Sequence, residues 1–68
     1  SPEAEQVQKA LLVKGYVADD PAALPTEPGA SARLDVRASQ RRGPGPKESC
    51  LVTVGESLDE VEVGDCVP

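Results

Sequence analysis

Residues 9–17 read KALLVKGYV, and the fold turns on whether this run is helix or strand. As a strand, Leu11, Val13, Gly15 and Val17 face one way, and Leu12, Lys14 and Tyr16 face the other. As the end of a helix begun at the N-terminus, Val7, Leu11 and Lys14 align instead. The start SPEAEQ suits a helix. Ser1 can cap it, Pro2 takes the first position, where no N–H is needed, and two glutamates fall in the first turn. Gly15 and the β-branched valines favour a strand from about Ala10 onward. The expectation is therefore a flexible or helical segment over 1–9 and a β domain over 10–68.

Beyond Val17 comes ADDPAALPTEPGAS, a loop by its prolines, aspartates and glycine. ARLDVRA (residues 32–38) is the clearest alternation in the chain. Ala32, Leu34, Val36 and Ala38 line one side, and Arg33, Asp35, Arg37 and Ser39 the other, as in a half-buried antiparallel strand. SQRRGPGPKES is a second loop. CLVTV (50–54) is a strand with Cys50, Val52 and Val54 on one face. In ESLDE, Ser57 and Glu60 have capping-box spacing for about one helical turn. VEVGDCV (61–67) returns to alternation, with a sharp turn at Gly64-Asp65. Leu34, Val36, Val52, Val54 and Val13 are the expected shared core.

The chain's 68 residues, with 38% hydrophobic side chains, allow one small domain. A domain of this size buries only roughly 60% of the surface of its unfolded chain. Phe, Trp and Met are absent and Tyr16 is the only aromatic, so Val, Leu and Ala must fill the core, and a staple is expected. Cys50 and Cys66 can supply it. A bond between them closes a loop of about 15 residues, worth roughly 3 kcal/mol in the chain-entropy model. The alternative is a pair of buried reduced thiols in a cytosolic protein. A disulfide implies an oxidising, extracytoplasmic setting. With no signal peptide and no apolar run longer than Ala10–Val13, an exported domain would be cut from a longer protein that carries the export signal.

Catalysis has little support. Histidine is absent, which removes the commonest general base and any activator for a thiol. Two cysteines cannot make a four-ligand structural zinc site. The pairs Asp19-Asp20 and Asp59-Glu60 lie in turn signals, where Asp serves the backbone. GPGP carries prolines where a phosphate loop needs free N–H groups. The expectation is a protein that is no enzyme and holds no cofactor or metal.

The order of these segments resembles an OB-fold, and in particular the extracytoplasmic OB domain of the ComEC family of competence DNA-uptake membrane proteins. Val13, Gly15, Val17, the Asp20-Pro21 step, Val52 to Val54 and the Gly64-Asp65 step carry the resemblance, over roughly residues 10–68. The strands and turns themselves predict an all-β fold, a small Greek-key or partly open barrel with a short helix or 3₁₀ turn before the last strand, and the resemblance makes that barrel OB-like. The resemblance also implies a place on the outer side of the cell membrane, beside the membrane and hydrolase-like domains of the same parent protein. Two departures are visible: the chain ends at Pro68, short of the family's last strand, which leaves the barrel incomplete, and stacking aromatics are scarce.

The resemblance makes single-stranded DNA the expected partner of a monomeric domain. The net charge of −5 opposes nonspecific binding. The charge is uneven, however: residues 31–47 hold five basic side chains and one acid, whereas residues 48–68 hold six acids and no base. Single-strand binders of this fold use a positive groove with stacking rings. The candidates are Lys14, Tyr16, Arg33 and Arg37, with Arg41, Arg42 and Lys47 from the loop. Against this stand a solvated arginine face and a core role for Tyr16. Two other readings compete: a structural or protein-interaction module of a membrane-anchored protein without DNA affinity, and a secreted stapled inhibitor, which would want more cysteines.

Overall fold

The computed structural model describes residues 1–39 and 45–68. In chain order they form helix α1 (Pro2–Val13), strand β1 (Tyr16–Ala18), a 3₁₀ turn (Pro21–Ala23), and strands β2 (Ser31–Ala38), β3 (Glu48–Val54) and β4 (Val61–Val67). The strands make one antiparallel sheet in the order β1-β2-β3-β4. This is a mostly β domain with one helix.

The decisive run resolves as helix. The Ser1 hydroxyl accepts from the Ala4 amide at 3.1 Å, and Glu3 and Glu5 sit at the positive end of the helix dipole. Val7 and Leu11, four apart, share one face and are both 0% exposed. Burying that pair and capping the first turn outweigh the few tenths of a kcal/mol that valine costs a helix. The strand expected from Ala10 is thus corrected to helix through Val13. Val13 leaves the expected core, at 83% exposed, and Leu11 takes its place. The break assumed at residue 10 falls inside α1.

Gly15 stops the helix. Its φ of +96° is open to glycine and strained for other residues, and its N–H donates to the Leu12 carbonyl at 2.9 Å. A Cβ there would touch nothing within 4 Å, so a substitution acts on conformation alone. Gly15→Ala is expected to cost about 1 kcal/mol, read from the denaturant midpoint. No change in midpoint would mean that the helix ends elsewhere.

The sheet interior matches the alternation read from sequence. Leu34 and Val36 of β2, Cys50, Val52 and Val54 of β3, Val61 of β4 and Ala18 of β1 pack with Val7, Leu11 and Leu24 in one cluster. Leu34 lies opposite Cys50, and Val52 opposite Val63. The Greek-key barrel, by contrast, is corrected to an open meander. Consecutive strands are neighbours, and β1 has only three residues against eight in β2. After Ala18 the chain turns out of the sheet at Asp20-Pro21, and the helix covers the core face that a closed barrel would have wrapped. The helical turn expected in ESLDE is also absent. Ser57 and Glu60 do bond, Ser57 N–H to Glu60 Oε1 at 3.1 Å, but around a tight turn. The short 3₁₀ turn lies at Pro21–Ala23, capped by the Asp20 carboxylate, which accepts from the Ala22 amide at 3.1 Å.

Cys50 and Cys66 are bonded. The register steps from Leu51↔Gly64 to Ser49↔Val67, so β4 carries one extra residue, a β-bulge. Asp65 sits in it at φ +51°. The disulfide therefore fastens the buried Cys50 to the distorted end of β4, where ladder pairing alone is weakest.

Candidate functional site

The expected DNA-contact residues fall into two groups. Arg33 and Arg37 alternate with the buried Leu34 and Val36 and so line the solvent face of the sheet. Tyr16 is two residues from the buried Ala18 and lies opposite Ala38, which places it in the core-side phase, half-buried. Lys14 is the C-cap of α1 rather than a strand residue. Hence Lys14 and Tyr16 do not share a sheet face with Arg33 and Arg37. Lys47 joins the arginine group through Asp19. Arg41 and Arg42 lie outside the described residues.

The arginine group is engaged with the chain's own acceptors. Arg33 Nη1 donates to the Ser49 carbonyl at 3.0 Å and to the Asp65 carbonyl at 2.9 Å, tying β2 across β3 to the bulge of β4. Arg37 Nη1 donates to the Gly45 carbonyl at 2.8 Å, and its Nε to Asp19 Oδ1 at 3.3 Å. Lys47 Nζ stands 3.8 Å from the other oxygen of Asp19. The two ion pairs to Asp19 are solvent-exposed and worth at most about 1 kcal/mol each. The arrangement of these contacts nonetheless gives each cation an internal role. The paired carboxylates are similarly occupied: Asp19 holds two cations, Asp20 caps a turn, and Asp59 and Glu60 bond Ser57.

Glu48, Cys50 and Cys66 converge with their ligand atoms within 4.8 Å. The two sulfurs are bonded to each other, so the group offers a carboxylate and no thiolate. That is not a donor set for zinc.

The sheet has two edges with different fates. At β1 the outward N–H of Ala18 is taken by the side chain of Gln8 on α1, at 3.3 Å. At β4 the hydrogen-bond phase follows from the turn. Gly55 N–H donates to the Glu60 carbonyl, so Glu62 and Gly64 exchange bonds with β3 while Val61 and Val63 point theirs outward. Among the described residues no main-chain bond meets those outward groups, but Val61 is only 3% exposed, so the accessible part of the edge lies at Val63.

A groove of about 550 Å³ runs beside this edge, lined by Lys14, Tyr16, Leu51, Thr53, Glu62, Val63 and Gly64. A second depression of about 520 Å³ continues it past Glu56, Asp59, Glu60 and Glu62, with Lys14 its only cation. The groove is bounded by β3 and β4 on one side and by Lys14 and Tyr16, at the end of α1 and the start of β1, on the other. Two of the expected residues, Lys14 and Tyr16, line it, in acidic rather than basic company.

Comparison with protein-family models, characterised proteins and solved structures found no match. The chemistry of the chain therefore rests on its own residues. Among those described, no helix is long and apolar enough to cross a membrane.

Sequence reasoning did not find the open edge. The acidic composition of residues 48–68 was a signal for one side of the groove. Alternation alone cannot tell an edge strand from a central one, because both present the same faces.

Proposed function

We propose that the chain is a non-catalytic, disulfide-stapled protein-interaction module, displayed on the outer side of a membrane as part of a larger protein. The observation that carries the reading is the unpaired edge of β4 beside an acidic groove, in a domain whose described sheet-face cations are bound to its own backbone and to Asp19. An open edge of this kind is a template for main-chain pairing with another chain. The disulfide suits an oxidising compartment.

A second reading, a DNA-handling module of the ComEC type, is favoured by one observation: Arg33, Arg37 and Lys47 share the solvent face. Phosphate could compete for these exposed side chains, but the net charge of −5 and the separation of Tyr16 from them weigh against it. The two readings part in an NMR titration with 12-nucleotide single strands and duplexes at low and high salt. The interaction module is expected to leave the Arg33, Arg37 and Lys47 signals unmoved at millimolar DNA. Salt-sensitive shifts at those three residues would overturn it in favour of DNA.

A further inference from the structure

We propose that the outer edge of β4 around Val63 and Gly64 accepts a basic extended segment of a partner protein as a short fifth strand of the sheet. This deepens the interaction-module reading and rests on it. Three features select the segment. The outward N–H and C=O groups of the half-buried Val63 are open to a strand's main chain, whereas Val61, 3% exposed, is covered, and at the opposite edge Gln8 already takes the outward Ala18 N–H. The buried Val61 on one side and the bulge beyond Gly64 on the other limit the added pairing to a short stretch centred on Val63. The side chains of an added strand would alternate between the two sides of the sheet. On one side they would meet Tyr16 and Val63, which are half-buried and apolar. On the other they would meet Glu62, with Glu56 and Glu60 beyond it in the second depression. A segment alternating aliphatic with lysine or arginine residues fits both sides.

The probe is an acetylated, amidated six-residue peptide alternating lysine and valine, added to the oxidised 68-residue chain. Amide exchange and chemical shifts are followed by NMR. The Val63 amide is expected to gain protection, with half-saturation at about 0.1–1 mM, since so short an edge must also offset the ordering of the peptide. Joint Glu56→Lys and Glu62→Lys substitution, both at exposed positions, is expected to weaken binding about tenfold without altering the free spectrum elsewhere. A control peptide alternating lysine and proline keeps the charge and loses the ladder donors. It is expected to leave Val63 unprotected. The proposal is overturned if the proline peptide acts equally, if the shifts map away from β4, or if Val63 does not respond at millimolar peptide. A parallel arm with single-stranded DNA separates the two failures. Loss of the peptide response with a silent DNA arm removes the edge assignment alone, whereas shifts at Arg33 and Arg37 would remove the interaction reading as well.

Discussion

Joint Cys50→Ala and Cys66→Ala substitution is expected to lower the melting temperature by about 12–24 °C. The bond closes a loop of about 15 residues, which removes roughly 3 kcal/mol of unfolded-state entropy. In a domain of this size each kcal/mol moves the midpoint by about 4–8 °C. A core of valine, leucine and alanine has little reserve, because it lacks the large side chains that dominate burial energy. The bond also holds the bulged end of β4 to the buried Cys50, so its loss should free the last residues of β4 first. Reduction of the unsubstituted protein should give the same shift, which separates the bond from the side-chain change. Melting curves by circular dichroism in oxidised, reduced and double-variant samples make the comparison. A shift below about 4 °C in all of them would show that the staple carries no more than about 1 kcal/mol.

Leu11→Ala is expected to cost about 2–4 kcal/mol, the range for emptying a fully buried leucine site. Leu11 has no exposed surface and joins Val7 in holding α1 against the sheet. Val13→Ala is expected to lie within about 0.5 kcal/mol of the parent, as for an exposed site. The strand reading of residues 9–17 gives Val13 a core position, so it would make Val13→Ala costly. Urea titrations of the two variants decide between them, and a reversed order of sensitivities would contradict the helix.

The strands were legible because alternation is a local signal. ARLDVRA and CLVTV each place one apolar face against the core, and Leu34, Val36, Val52 and Val54 are buried as that pattern requires. The disulfide was legible from the economy of a small core with only two cysteines. The helix was half legible: Ser1, Pro2 and the two glutamates announced its start. Its end was misplaced because Leu11 satisfies both periodicities, and only the packing of Val7 beside it chooses between them. The Greek-key or partly open barrel was an inference from the number and spacing of the strands and turns. Closure depends on whether the first and last strands meet, and nothing in the spacing of residues reports that. The expected DNA-contact face was split for the same reason. Tyr16 and Arg37 are each on a strand beside the other, but strand phase puts them on opposite sides of the sheet, and phase between neighbouring strands is set by register.

Amide exchange along β4 of the free, monomeric domain tests the open edge most directly. Glu62 and Gly64, bonded to β3, are expected to exchange at least about a hundredfold more slowly than Val63, whose N–H points outward and should exchange within about tenfold of an unstructured chain. Equal protection at all three amides would contradict the account, because it would mean that the edge of β4 is already covered and the sheet is closed.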